Sequence, residues 1–203
     1  AQTVVIGTPE QMAASAAALW EKGARLLKVK LDNHLISERL IAIRNVVPEA
    51  MLIVDANESW SSDGLAARCQ LLADIGVAML EQPLPADADD ALENFIHPLP
   101  ICADESCHTR DSLPQLRGRY EMVNIKLDKT GGLTEALRVR EEATRLGLRV
   151  MVGCMVSTSL SMAPAVVVAQ QASVVDLDGP LLLAEDREDG LRYDGSELFP
   201  PTP

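Results

Sequence analysis

Short aliphatic and β-branched runs alternate with longer stretches of helical periodicity along the whole 203-residue chain. Thr3 to Ile6 is the first such run, closed by Gly7. Thr8-Pro9-Glu10-Gln11 then reads as a helix start: a capping residue, a proline at the first helical position and an acid in the first turn. This helix is expected to reach Lys22 and stop at Gly23. The same alternation predicts strands over 26–31, 51–54, 77–80, 101–103, 122–125, 150–152 and 174–177. Helices are predicted over 37–47, from Ser61 or Ser62 to Asp74, and over 87–95, 109–116, 134–146 and 157–171. Eight strands separated by seven helices make an α/β chain with parallel strands, and a unit repeated this often favours closure into a barrel. A doubly wound open sheet is the alternative, but no Gly-x-Gly-x-x-Gly follows the first strand. The barrel is expected over 1–178. The tail, 179–203, mixes Leu181, Leu182, Leu183, Leu191, Tyr193, Leu198 and Phe199 with Gly, Asp, Glu and Pro. It is too apolar for a disordered end, so it is expected to pack on the barrel's outside or on a part beyond this chain.

Five of the strands end in a residue that can do chemistry: Lys30, Asp55, Glu81, Asp104 and Lys126. The steps between them are 25, 26, 23 and 22 residues, near the length of one βα unit. The C-terminal ends of parallel barrel strands converge on one mouth, so three carboxylates and two amines meet there. A single acid at a strand end is ordinarily a helix cap or a solvated loop residue. Three on successive strands, each directly after a buried run, are not explained that way. Carboxylates brought together repel unless a cation neutralises them. An all-oxygen ligand set favours Mg²⁺ or Mn²⁺ over Zn²⁺.

Lys28 and Lys30 alternate with Val29, so both point to one strand face, where lysine needs a partner. Lys126 ends a strand diagonally across. A lysine beside a dication or another lysine has its pKa lowered toward the range of a useful base. Lys129 follows in the next loop and reads as a surface residue. Asp176 and Asp178 alternate on the last strand, share a face, and are suited to meet a cationic group.

Composition narrows the setting. A net charge of −12 argues against nucleic acid and against anionic membranes. No apolar run reaches transmembrane length and no secretory pattern opens the sequence, so a cytoplasmic protein is expected. Cys69, Cys102, Cys107 and Cys154 form no Cys-x-x-Cys pair and are expected to stay reduced. Cys69 and Cys102 read as core, whereas Cys107 and Cys154 fall near strand ends and are placed at the pocket.

The motifs Lys28-Val29-Lys30, Asp55-Ala56-Asn57, Glu81-Gln82-Pro83, Asp104-Glu105-Ser106 and Lys126, in this order, resemble the enolase superfamily in its muconate lactonizing enzyme subgroup. The resemblance implies a TIM-like (β/α)7β barrel that binds Mg²⁺ through Asp55, Glu81 and Asp104. The metal would hold a substrate carboxylate, with Lys30 and Lys126 facing opposite sides of the α-carbon. Lys28 would contact substrate, and Asn57 and Glu105 would support the ligands. Gly153-Cys154-Met155 ends the seventh strand without a histidine, which counts against the mandelate racemase branch. Asp176-Leu177-Asp178 resembles the ammonium clamp of the dipeptide epimerases in the subgroup. The implied activity is a two-lysine 1,1-proton transfer on an alanyl-glutamate dipeptide through an enediolate, in murein peptide recycling. O-succinylbenzoate synthase and cycloisomerases share the metal and lysine pattern but need no ammonium clamp. A metal-binding barrel without activity is the reading from another class. Members of the family also carry an N-terminal α+β capping domain, which these residues do not include, so a cap is expected as a partner. The oligomeric state is left open.

Overall fold

The computed structural model describes residues 1–200. Eight strands form one sheet in sequential order, every neighbouring pair parallel. They are β1 (Gln2–Val4), β2 (Leu26–Lys30), β3 (Met51–Asp55), β4 (Val77–Glu81), β5 (Ile101–Ala103), β6 (Met122–Ile125), β7 (Arg149–Val152) and β8 (Val174–Val175). The last strand returns to the first. The Ala1 amine donates to the Val175 carbonyl, and the Thr3 N–H donates to Asp178 Oδ2 at 2.8 Å. The result is the (β/α)7β barrel expected from the alternation.

The crossovers carry α1 (Pro9–Glu21), α2 (Ile36–Val46), α3 (Leu65–Ile75), α4 (Leu113–Leu116), α5 (Leu127–Thr130), α6 (Leu133–Arg145) and α7 (Ser159–Ala169). Helix α1 starts as its sequence predicts. Thr8 Oγ1 accepts from the Gln11 N–H while Gln11 Oε1 accepts from the Thr8 N–H, a complete capping box. Both sheet faces are buried, which is why the strands read as continuous apolar runs. The outward positions, such as Leu27, Val29, Leu52, Val54, Val123 and Ile125, pack against the helices. The inward positions Ile53, Met79, Cys102, Met122 and Met151 form a second, separate cluster inside the barrel. Two residues further along the same strands the inward side chains are Asp55, Glu81, Asp104 and Asn124, all buried. The barrel therefore has an apolar floor and a charged ceiling.

Several elements differ from expectation. The predicted helix over 87–95 is only a 3₁₀ turn at Asp90–Asn94, because Asp89 commits its side chain to a buried network described below. The stretch over 109–116 divides into a 3₁₀ turn, Arg110–Ser112, and the single turn of α4. Helix α5 has no counterpart among the predicted elements. Strand β1 ends at Val4, leaving Val5 and Ile6 exposed, and β8 ends before Asp176. The tail folds back on the barrel's outside. Its hairpin, β9 (Tyr193–Asp194) with β10 (Glu197–Leu198), sets Gly195 at φ +55° against Gly23, where an added Cβ would lie 2.7 Å from the Gly23 carbonyl. Tyr193 Oη donates to the Leu177 carbonyl at 2.8 Å, and Leu191 and Leu198 join the outer core. The last three tail residues, 201–203, lie outside the described residues. Among the described residues no helix is long and apolar enough to cross a membrane.

One ion pair ties the β4–β5 connection to the start of β6. His97 Nδ1 lies 2.9 Å from Glu121 Oε1, and His97 Nε2 lies 2.8 Å from the Leu92 carbonyl. Both partners are acceptors, so only the imidazolium satisfies both. The Glu121 bond raises the His97 pKa above its ordinary value. Burial opposes charge on Glu121, but His97 and the Ile101 N–H hold its carboxyl below the ordinary range. A raised histidine contributes fully below about pH 6.5, and that contribution is lost as pH rises through its raised value. Glu121's contribution is lost in the opposite direction, as pH falls through its depressed value. With Glu121 half-exposed, the pair is worth about 1 kcal/mol or less. The urea midpoint of the wild type should exceed that of His97→Gln most between about pH 5 and 6.5, with the gap narrowing toward about pH 9. A gap independent of pH would refute the linkage.

Candidate active site

The mouth is built on strand register. Lys30 pairs with Asp55 across β2–β3, and Asp55 pairs with Glu81 across β3–β4. Asp104 follows β5 directly. One carboxylate oxygen from each of Asp55, Glu81 and Asp104 lies within 4.8 Å of the others. These three acids are essentially inaccessible to solvent.

Four lysines interlock with them. Lys28 Nζ stands 2.8 Å from Glu81 Oε2, 2.9 Å from Asp176 Oδ2 and 3.0 Å from Asp55 Oδ2. Lys30 Nζ donates to Asp55 Oδ2 at 2.6 Å and Asn57 Oδ1 at 2.8 Å. Across the mouth, Lys126 Nζ donates to Asp104 Oδ2 at 2.5 Å. Lys129, expected at the surface, instead donates to Asp104 Oδ1 at 2.5 Å. Helix α5 explains this correction: it turns the chain straight after Lys126 and swings Lys129 back under the mouth. Asn57 also supports the acids, its N–H donating to Asp55 Oδ1 at 2.9 Å, and its amide reaches Glu105 Oε1 at 3.4 Å.

The electrostatics follow from dry packing of opposite charges. Burial opposes charge on Asp55, but Lys28 and Lys30 hold its carboxyl below the ordinary range. Asp104 is likewise held well below that range by Lys129 and Lys126 against the effect of burial. Glu81 goes the other way: burial, reinforced by Asp55, Asp104 and Asp176, pushes it up to about 8 despite Lys28. Burial lowers Lys28 and Lys126, but their carboxylate neighbours outweigh it and raise both.

The site residues given by the sequence all reach the mouth. A pocket of about 200 Å³ is lined by Thr3, Lys28, Lys30, Asn57, Glu105, Lys126, Cys154, Met155, Asp176 and Asp178, among others. Asp176 and Asp178 do lie together, but beyond β8 in the turn that follows it. Burial and then Asp176 raise the Asp178 pKa, whereas Glu105 is raised by burial and then by Asp104. Cys154 lines the pocket with its thiol pushed up to about 12, mainly by burial, so it stays protonated. Cys107 does not reach the pocket; it is buried in the outer core. Asn124 carries no signal in the sequence pattern, yet it belongs to the site. Its Nδ2 donates to Glu81 Oε1 at 2.7 Å, and it shares the inward face with Lys126 two residues on. Gly153 makes room for it: a Cβ there would lie 2.7 Å from Asn124 Oδ1.

The residues fit a small dication. Every donor in the acidic triad is an oxygen. Buried Asn124 Oδ1, Asp176 Oδ1 and Glu105 Oε2 are acceptors without a hydrogen-bond partner, and Glu81 Oε2 meets only the Lys28 ammonium. Three orphan acceptors around one mouth call for positive charge, not for more carboxylates.

Two outcomes are expected. A proton on Glu81 competes with a metal, so Mg²⁺ affinity should strengthen as pH rises, by up to about tenfold per unit, and level off above about pH 8. Calorimetric titration across pH checks this, and a flat profile would refute it. Gly153→Ala should push Asn124 off Glu81, cost about 1–3 kcal/mol in stability and weaken Mg²⁺ binding. Unaltered Mg²⁺ affinity in that variant would show that Asn124 does not orient Glu81.

Comparison with known proteins agrees with this geometry. Residues 11–201 match the family model described as enolase C-terminal domain-like. The chain is 69% identical over 198 residues to the L-Ala-D/L-Glu epimerase of Escherichia coli (strain K12), covering 98% of this chain and 62% of that protein. It is 48% identical to the N-acetyl-D-glutamate racemase of a Pseudoalteromonas species, covering 98% of this chain and 63% of that one. A solved enolase family member from Agrobacterium tumefaciens, with homology to dipeptide epimerases and with bound sodium and L-Ala-L-Glu, superposes with a TM-score of 0.92. It is 50% identical, covering 98% of this chain and 60% of that one. The chain thus spans about three fifths of the length of these relatives. An all-parallel (β/α)7β barrel, a triad of acids on three successive strand ends and a family match across nearly the whole chain lead to one conclusion: this chain belongs to the enolase C-terminal domain-like family.

Proposed function

We propose that this chain is the catalytic barrel of a Mg²⁺-dependent epimerase acting on alanyl-glutamate dipeptides. The observation that carries the reading is the placement of two amines against the acidic triad. Lys30 sits on Asp55 at one side and Lys126 on Asp104 at the other. An α-carbon held over the triad would have one amine on each face. The relatives named as epimerase and racemase, and the neighbour with bound L-Ala-L-Glu, support the same reaction class.

The reaction needs one amine neutral and the other protonated. A neutral lysine then takes the α-proton, and the ammonium on the opposite face returns one. Proton loss puts extra negative charge on the substrate carboxylate, an enediolate, and Mg²⁺ bound at the triad would neutralise that charge where it develops. Lys28, held by three carboxylates, would have to give up one of them to contact the substrate carboxylate. Asp176 Oδ1, without a partner, and Asp178 face the side where a dipeptide ammonium would lie. The mouth pocket is lined by exposed Met155, Val156 and Leu182, and exposed Ile6 and Leu35 follow the C-terminal ends of β1 and β2. That apolar rim supports a covering part over the substrate, such as the capping domain the resemblance implies.

The test is α-proton exchange in D₂O followed by NMR, beside epimerisation followed by optical rotation, on L-Ala-L-Glu and L-Ala-D-Glu with Mg²⁺. Lys30→Ala and Lys126→Ala should each lower epimerisation by at least about 10²-fold. Each should retain exchange of a single stereoisomer, opposite for the two variants. Unchanged turnover in either variant would sink the two-base assignment. N-acetyl-glutamate run in parallel separates the reading drawn from the racemase relative: faster turnover of that substrate, unaffected by Asp178→Asn, would remove the ammonium clamp.

A further inference from the structure

We infer that Lys129 is a positioning residue that forces Asp104 to ligate through one oxygen and so sets the preference of the site for a small dication. The inference rests on the proposed Mg²⁺ site. Lys126 and Lys129 both touch Asp104, yet their surroundings differ. Lys126 has the single partner Asp104 Oδ2. Lys129 has three: Asp104 Oδ1 at 2.5 Å, the Asp104 carbonyl at 2.5 Å and the Asn124 carbonyl at 2.9 Å. An ammonium has three N–H donors, and here all three are used. Lys126 is therefore free to change partners, as an acid–base group must, and Lys129 is anchored.

The anchor has a mechanical origin. Helix α5 is one turn, ended by Gly131 at φ +75°, so Lys126 and Lys129 fall on the same side three residues apart. Lys129 binds the carbonyl of Asn124, whose side chain holds Glu81 Oε1. One ammonium thus ties the end of β5, which supplies Asp104, to β6, whose Asn124 side chain holds Glu81.

With Oδ1 fixed by the anchored Lys129, Oδ2, which meets only the exchangeable Lys126, is the oxygen left for a cation. A carboxylate held this way can give one oxygen to a cation but not two. Mg²⁺ takes six ligands in a tight octahedron near 2.1 Å, typically one oxygen per carboxylate, whereas Ca²⁺ takes six to eight and accepts two-oxygen ligation. With Lys129 removed, Asp104 can rotate to offer both oxygens, and the site should open toward the larger ion.

The experiment is calorimetric titration of the wild-type chain, Lys129→Met and Lys129→Gln with Mg²⁺ and with Ca²⁺, beside urea unfolding of each. The wild type should prefer Mg²⁺. Lys129→Met should bind Mg²⁺ about 10–100-fold more weakly and lose Ca²⁺ affinity far less, so that the Mg²⁺/Ca²⁺ affinity ratio falls at least about tenfold. Lys129→Gln carries the same test should the methionine variant fail to fold. An unchanged ratio would overturn the inference, whether both affinities persist or both collapse along with the unfolding midpoint. Absence of Mg²⁺ binding by the wild type would overturn it together with the proposed metal site. Normal metal binding without α-proton exchange would instead defeat only the proposed reaction, leaving the ratio as a valid test of Lys129.

Discussion

Everything at the mouth depends on like charges being kept together in a place without water. Asp55, Glu81 and Asp104 stand on three successive strand ends because parallel register puts equivalent positions side by side. Isolated, three buried carboxylates would cost many kcal/mol to ionise. The four lysines meet that cost in the geometry observed, two from β2, one from the end of β6 and one from α5. The ion pairs therefore do not chiefly stabilise the fold; removing one partner leaves a buried charge unpaired, which is strongly destabilising. The apolar floor of Ile53, Met79, Cys102, Met122 and Met151 keeps the row of charges dry from beneath.

Behind the acids lies a second polar assembly that fixes the loops carrying them. Gln82 adopts φ +32°, a conformation that costs a residue with a side chain about 1–3 kcal/mol. Its amide offsets that cost. Oε1 accepts from the N–H groups of Asp104 and Ser106, and Nε2 shares its two hydrogens among the Leu84 carbonyl, Ser106 Oγ and Tyr120 Oη, all within 3.0 Å. Ser106 and Tyr120 both donate to Asp89, which Arg119 closes from outside. The loop after β4 and the loop after β5 are thus cross-braced through one side chain, and Asp104 inherits its backbone position from Gln82.

Most of this is legible in the sequence, for physical reasons. A buried strand that ends in a charged residue is conspicuous, and five at near-constant spacing mark a barrel mouth by periodicity alone. Lys28 and Lys30 share a face by simple alternation. The features without a sequence signature depend on distances rather than on periodicity. Helix α5 is too short to leave a helical pattern, so Lys129 reads as a loop residue. Asn124 reads as one more position of an apolar strand, and its need for Gly153 is a steric relation between β6 and the end of β7. The helix expected over 87–95 has the right composition, but the buried demands on Asp89 take precedence over local propensity. Cys107 departs from its expected place because a strand-end position can turn either into the mouth or back into the core.

The distribution of amines has a practical consequence. The chain has five lysines, Lys22, Lys28, Lys30, Lys126 and Lys129, and thirteen arginines, so its outer surface carries positive charge almost wholly as guanidinium. Four of the five side-chain amines are gathered around one set of carboxylates. Reagents that acylate or reductively alkylate lysine thus meet Lys22 elsewhere, and otherwise only the mouth. Mass-spectrometric labelling of lysine on this barrel becomes a gauge of whether that mouth is open, shielded or holding a bound anion, with Lys22 as the built-in reference.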